Sequence, residues 1–117
     1  MSEETLIDLN HLEKISGGNK DFIREILQIF LEQTPREIAK LREYLEHDEM
    51  EKVEYYAHKL KSATDSIGFS EGRQLFNQIE DCARLGKPDM IAPLVQNVSE
   101  VCSVACQQVS KKLEKGL

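Results

Sequence analysis

The chain has 117 residues, 40% hydrophobic and 31% charged, which suits one globular domain spanning residues 1–117. Its formal net charge of −6 disfavours a nucleic-acid partner, because a phosphate backbone would be repelled. No apolar run approaches the roughly 20 residues that cross a bilayer, and the first residues lack a basic, apolar signal pattern, so we expect a cytoplasmic protein without a membrane partner.

The first two predicted helices follow from capping residues and apolar periodicity. Helical periodicity runs along almost the whole chain, and no segment alternates like a strand. Asp8 is predicted to cap a short first helix that ends at Ile15, before Gly17-Gly18. Asn19 is predicted to cap a long second helix. The apolar residues expected on the inner side of its first half are Phe22, Ile23, Ile26, Leu27, Phe30 and Leu31.

The second helix contains a proline, and the third has one apolar stripe. We expect the second helix to kink or restart at Pro35 before it continues through Leu45. Asp48 is predicted to cap the third helix, which ends near Gly68. At about 100° per residue, the apolar positions of the third helix fall within one arc about 100° wide. These positions are Val53, Tyr56, Ala57, Leu60, Thr64 and Ile67.

Two further amphipathic helices complete the chain. The fourth is predicted to begin at Ser70 and to end before Gly86. Its inward residues are Leu75, Phe76, Ile79, Cys82 and Leu85. Asp89 is predicted to cap the fifth helix, which runs to about Leu113. Its inward residues are Ile91, Leu94, Val95, Val98, Val101, Cys102 and Ala105.

The connections between the long helices are short, which makes consecutive helices antiparallel neighbours. The predicted fold is therefore all-α, an up-down-up-down four-helix bundle with the short N-terminal helix capping one end. We expect a monomer.

The three cysteines predict neither a disulfide framework nor a zinc site. Cys82, Cys102 and Cys106 are an odd set without a Cys-x-x-Cys pair. The spacing of Cys102 and Cys106 could hold a metal on a helix, but their neighbours are mostly apolar. We therefore interpret them as small packed thiols and predict no metal ligands.

His58 lies on the water-facing side of the third helix. With Met50 at zero it falls at about 80°, some 140° from the centre of the apolar stripe. Lys61 is one turn further on, between His58 and the stripe, so its stem can lie along apolar surface while its ammonium reaches back. By itself this pattern also fits an ordinary surface histidine, and helix geometry does not choose between the two.

The residues around His58 resemble a known family signature. The stretch AHKLKS, Ala57 to Ser62, followed by Gly68, is similar to the signature of histidine-containing phosphotransfer (HPt) domains. The upstream stretch from Ser16 to Leu41 resembles the same family in its Gly-Gly pair, its amphipathic run and its mid-helix proline. The similarity covers roughly residues 8 to 86, and the last helix is similar only in amphipathic character.

The resemblance implies a role in a two-component phosphorelay. HPt domains are four-helix bundles whose exposed histidine accepts a phosphoryl group from an aspartyl phosphate on a response-regulator receiver domain and passes it to another receiver. His58 would be that histidine, and Lys61 would steady the phosphoryl oxygens. The implied partners are receiver domains and a hybrid sensor histidine kinase. The chain would need no cofactor of its own, since magnesium is expected on the receiver.

The resemblance also implies an orienting residue and a docking surface. Many family members have a glutamine or glutamate on the fourth helix that hydrogen-bonds the histidine, and Glu80 matches that position better than Gln78. The receiver is expected to dock on Tyr55, Lys59, Ser62, Asp65 and Gly68. Ser62 stands where many members have glycine. Asp65 stands where a small uncharged residue is usual; it either rejects wrong partners by like charge or has no consequence.

Two other functions compete with phosphotransfer. The alternative is a helical interaction module that binds receiver domains without phosphate transfer, although such a module could lose His58 or Lys61 and this chain has both. A di-iron enzyme would need inward-facing Glu-x-x-His pairs. Glu54 precedes His58 by four positions and His58 faces outward, so the sequence does not fit that class.

Overall fold

The computed structural model describes residues 4–117, which form five α-helices and no strand. The helices are α1 (Asn10–Ser16), α2 (Lys20–Glu46), α3 (Met50–Ser66), α4 (Ser70–Arg84) and α5 (Pro88–Lys115). Within these residues no helix is both long and apolar enough to cross a membrane.

Helices α2 to α5 form the bundle that the sequence predicts. Helix α3 packs on α2 and α4, and α5 packs on α4 and α2, which closes a ring of four around one core. Three residues connect each consecutive pair in this ring, so the helices alternate in direction. The largest fully buried side chains of the core include Leu27, Leu41, Leu60, Ile67, Phe69, Phe76, Ile79 and Ile91. The short α1 packs against α2.

The N-terminal segment, residues 4–9, closes one end of the bundle. Helices α2 and α5 have 27 and 28 residues, so each is about 40 Å long, whereas α3 and α4 have 17 and 15. The N-terminal segment crosses the α3–α4 turn, where the Asp8 amide donates to the carbonyl of Ile67 at 3.0 Å. It reaches α5 through Gln108, whose Oε1 accepts from the Leu6 amide at 2.8 Å.

Several predicted helix ends are confirmed. The side-chain oxygen of Asn19 accepts from the Phe22 amide at 3.1 Å, so Asn19 caps α2. Helix α4 begins at Ser70, and Gly17 and Gly86 have positive φ after the helices they follow, where glycine has no steric penalty.

Three predicted caps are wrong, and of the two outcomes predicted at Pro35, a kink or a restart, the restart does not occur. Asp8 lies outside α1, which begins at Asn10; its carboxylate instead accepts from the Asn10 amide at 3.0 Å. Asp48 adopts φ 57° in the turn before α3 and does not cap it. Helix α5 begins one residue before Asp89, because Pro88 has a φ already suited to the first helical position. Helix α2 continues through Pro35 as a single helix, so it does not restart there.

Two residues predicted to point inward are exposed. Phe22 is 40% exposed and Leu85 is 66% exposed. Both lie at helix ends: Phe22 is in the first turn of α2, and Leu85 follows the last residue of α4. Periodicity gives each the direction of a core residue, but the neighbouring helices do not cover these ends.

Candidate functional site

His58 lies near the middle of α3 with its side chain 63% exposed. The opposite side of the helix is buried, at Val53, Ala57, Leu60 and Thr64. The predicted assignment of helical faces is therefore confirmed. The imidazole is open to a partner, while its helix is fixed by the core.

Glu80 on α4 joins His58 to Lys61. Its side chain is only 7% exposed, and its Oε2 lies 2.8 Å from Nδ1 of His58. Its Oε1 accepts from the Lys61 ammonium at 2.7 Å. A single carboxylate thus fixes both groups, and α4 contributes it because that helix packs along α3.

Gln78, the other α4 candidate, is exposed. It lies roughly 160° around α4 from Glu80. Within residues 4–117, no side-chain hydrogen bond joins it to His58; Glu80 makes that contact.

The environment of Glu80 favours its charged form. Burial alone would raise the pKa of this carboxyl, but hydrogen bonds from Lys61 and His58 outweigh it, so the pKa is lowered. An ionised carboxylate only accepts hydrogen bonds, so Nδ1 of His58 carries the hydrogen that it donates to Glu80. In the neutral ring the lone pair then resides on Nε2, the nitrogen on the far side from Glu80.

Arg84 and Glu54 extend this site, and Arg84 was missed by the sequence analysis. Arg84 Nε donates to Glu54 at 3.1 Å, and its Nη1 donates to Asp81 at 3.0 Å. The hydrogen bond to Glu54 is the main reason that the pKa of Arg84 is raised. Its Nη2 stands 3.6 Å from the same Glu80 oxygen that accepts from His58. The spacing of four between Glu80 and Arg84 on one helix was the signal that could have identified it.

Four residues of the predicted docking surface share the exposed side of α3 with His58. Tyr55 is 60% exposed, and Ser62 is exposed. Lys59 forms an ion pair at 3.1 Å with Glu37, a largely buried residue of α2, and Asp65 pairs with Arg73 of α4 at 3.3 Å.

Gly68, the fifth predicted docking residue, has a structural reason to be glycine. Its φ is 65°, and a Cβ added there would lie 2.1 Å from the carbonyl oxygen of Asp8. The N-terminal segment therefore packs directly over this position. The contact accounts for glycine at 68 without any partner.

Apolar side chains that the sequence analysis did not assign to the site flank the exposed side of α3. Ile29 is 39% exposed, and with Ile26 it lines a groove of about 230 Å³ between α2 and α3. Ala63 and Ser66 form the α3 side of this groove. The exposed surface around His58 thus continues onto α2.

Cys82 lies on α4, and Cys102 and Cys106 lie on α5. Cys102 is buried, and burial raises the pKa of its thiol to about 12; burial also raises the pKa of Cys106. Both thiols are therefore neutral near pH 7. Among residues 4–117, no group of three or more His, Cys, Asp or Glu side chains is arranged to hold a metal ion.

Comparison with known proteins gives one family. The family model described as "Hpt domain" matches residues 25–115, which include α3, α4 and every residue of the site described above. Searches of curated proteins and of solved structures found no significant match.

Proposed function

The chain belongs to the Hpt domain family, a family of phosphotransfer modules in two-component signalling, and on that premise we propose that it relays a phosphoryl group between receiver aspartates through His58. The single observation that carries the proposal is the exposed imidazole whose Nδ1 is tied to a buried carboxylate at 2.8 Å. Because that contact occupies Nδ1 and the side chain is 63% exposed, Nε2 is the nitrogen to which a receiver domain would present its phosphoryl group.

The proposed step is an in-line displacement at phosphorus. The Nε2 lone pair of His58 forms the N–P bond while the P–O bond to the receiver aspartate breaks, and the electron pair leaves on the aspartate carboxylate. The ring gains positive charge as this bond forms, because Nδ1 keeps its hydrogen. Glu80, ionised and adjacent, stabilises that charge where it develops. The reverse step passes the group to a second receiver.

Lys61 is proposed to contact the phosphoryl oxygens. Its side chain is 24% exposed, and its ammonium donates to Glu80, which also contacts the imidazole, and to the side-chain oxygen Oδ1 of Asn77 at 3.3 Å. A charge-assisted hydrogen bond from it to a phosphoryl oxygen is worth about 1.5–3 kcal/mol. That contact is absent before transfer, so it favours the phosphorylated state.

In this proposal the partner proteins supply the metal ion and the phosphoryl group. We propose that a receiver domain docks on Tyr55, Lys59, Ser62 and Asp65 and brings its own magnesium, and that a hybrid sensor histidine kinase is the upstream source. The apolar groove residues Ile26 and Ile29 would extend the contact area. In this proposal the chain is a carrier and does not use ATP.

The test is transfer of radiolabelled phosphate from receiver domains charged with acetyl phosphate to wild type, His58→Gln and the control His47→Gln. His58→Gln should take up no label, because a carboxamide nitrogen has no lone pair available to attack phosphorus. His47 is exposed on the turn after α2 and bonds a backbone carbonyl, so its substitution should leave uptake unchanged. The free energy of unfolding of His47→Gln should lie within about 0.5 kcal/mol of wild type, whereas His58→Gln should lose about 1 kcal/mol because its hydrogen bond to the buried Glu80 is altered.

Binding of the same receivers separates transfer from mere docking. His58→Gln should still bind, because docking depends on the surface around the imidazole. Binding without any label on wild type would favour the interaction-module alternative. Full label on His58→Gln would refute the role of His58.

A further inference from the structure

Lys61 would have two tasks: it holds Glu80 in the structure, and it would contact the phosphoryl oxygens in the proposed intermediate. In the structure it lies 2.7 Å from Glu80 Oε1, on the Nδ1 side of the imidazole. The phosphoryl oxygens of the proposed intermediate would lie beyond Nε2, on the other side of the ring. In the proposed intermediate, Lys61 would turn toward them and away from the carboxylate that it holds.

That movement would leave Glu80 with one cation fewer, because the phosphorylated ring would still bond it at Nδ1 while Lys61 would not. Glu80 is 7% exposed, so losing a charged partner there costs more than at the surface. The carboxylate is also needed most at that moment, because the phosphorylated ring carries positive charge at Nδ1. A second cation within short reach would resolve the conflict.

Arg84 is that cation. Two nitrogens of its guanidinium already donate hydrogen bonds, Nε to Glu54 on α3 and Nη1 to Asp81 on α4. Its Nη2 remains, 3.6 Å from Glu80 Oε2. This distance is too long for a hydrogen bond, but a movement of less than about 1 Å would make one.

Resting on the phosphotransfer role proposed above, we infer that Arg84 is a positioning residue that takes over Glu80 when Lys61 turns to the phosphoryl group. Glu54 and Asp81 hold the guanidinium ready, and its planar fork lets it bond three carboxylates at once. Lys61 is hydrogen-bonded to Glu80 before transfer, and Arg84 is hydrogen-bonded to it afterwards. Arg84 therefore matters for the phosphorylated state and not for the resting one.

The experiment compares Arg84→Gln with Arg73→Gln. Arg73 is on the same helix, is similarly exposed, and pairs with Asp65 away from Glu80, so its substitution removes the same charge. Two properties are measured: the ring tautomer of unphosphorylated His58 by ¹⁵N NMR, and the lifetime of phospho-His58 as a function of pH. The charged groups facing the site are Glu54 and Lys61 on α3 and Glu80, Asp81 and Arg84 on α4, and only Arg84 changes.

We expect Arg84→Gln to keep the resting tautomer, with hydrogen on Nδ1, because Lys61 and Glu80 are intact. Once His58 is phosphorylated, its ring in this variant should keep the Nδ1 proton to higher pH. The reason is that removing the cation beside Glu80 leaves a stronger negative field at the ring. Protonated phosphohistidine is the labile form, so the lifetime of phospho-His58 at a given alkaline pH should be about tenfold shorter than in the wild type. Arg84→Lys, which keeps the charge, should restore most of the wild-type curve, and Arg73→Gln should follow the wild type.

Two results would overturn the inference while leaving the phosphotransfer role intact. One is an Arg84→Gln lifetime curve identical to that of Arg73→Gln. The other is loss of the resting tautomer in Arg84→Gln, which would mean that Arg84 already acts before transfer. A wild-type protein that takes no label on His58 would instead overturn the phosphotransfer role and this inference together.

Discussion

Replacing Gly68 by alanine tests whether this glycine serves the fold or a partner. Its φ of 65° costs a non-glycine residue about 1–2 kcal/mol. The new Cβ would lie 2.1 Å from the Asp8 carbonyl oxygen, so the N-terminal segment must shift. That shift should break the hydrogen bond from the Asp8 amide to Ile67, worth about 1 kcal/mol, and partly expose the buried Ile7, worth about 1–2 kcal/mol.

Gly86→Ala is the matched control. Gly86 has nearly the same φ, 67°, but a Cβ added there would meet nothing within 4 Å. Urea unfolding should therefore show Gly68→Ala less stable than Gly86→Ala by about 2–3 kcal/mol. Phosphate uptake should persist in both where they are folded, because Gly68 is ten residues from His58 and lies beyond the end of α3.

Two outcomes would refute this reasoning. Equal stability of the two variants would mean that the N-terminal segment does not pack on Gly68 as described. Equal stability together with lost receiver binding by Gly68→Ala alone would return Gly68 to the docking surface.

Three further predictions concern the site and the core. Lys61→Ala should slow phosphate uptake about tenfold or more and cost about 1 kcal/mol of stability, because Glu80 loses its closest cation; uptake kinetics at wild-type speed would contradict its assigned role. Glu80→Gln should destabilise the protein by about 1–3 kcal/mol at pH 7. Because the pKa of Glu80 is lowered in the folded protein, its charge stabilises the fold above the ordinary pKa of 4.5, and this stabilisation is lost as the pH falls through the folded pKa. The stabilities of wild type and variant should therefore converge in acid unfolding curves. Cys102→Ser should cost about 1–3 kcal/mol by burying a hydroxyl and leave uptake unchanged in the same transfer assay, whereas lost uptake with an intact fold would point to a function for the thiol.

The sequence predicted the fold well because the evidence for it is local. Apolar periodicity and capping residues identified the five helices that residues 4–117 form, and the shortness of the predicted connections indicated the antiparallel bundle. The predicted caps at Asp8, Asp48 and Asp89 were wrong because one side chain does not determine which of several neighbouring residues is the first in the helix. Phe22 and Leu85 failed because periodicity gives direction without saying how far the neighbouring helices extend.

By itself, the sequence determined that His58 faces water, because the direction of a side chain on a helix follows from its spacing relative to the apolar stripe. It did not determine what holds the imidazole. Glu80 on α4 contacts His58 and Lys61 on α3, which precede it by 22 and 19 positions in the sequence. These contacts depend on the register of the two helices. The same register brings Arg84 beside Glu80 and Glu54, and the path of the N-terminal segment covers Gly68. Only the tertiary structure decided these contacts, because they depend on how the core fixes one helix against another and not on any pattern within one helix.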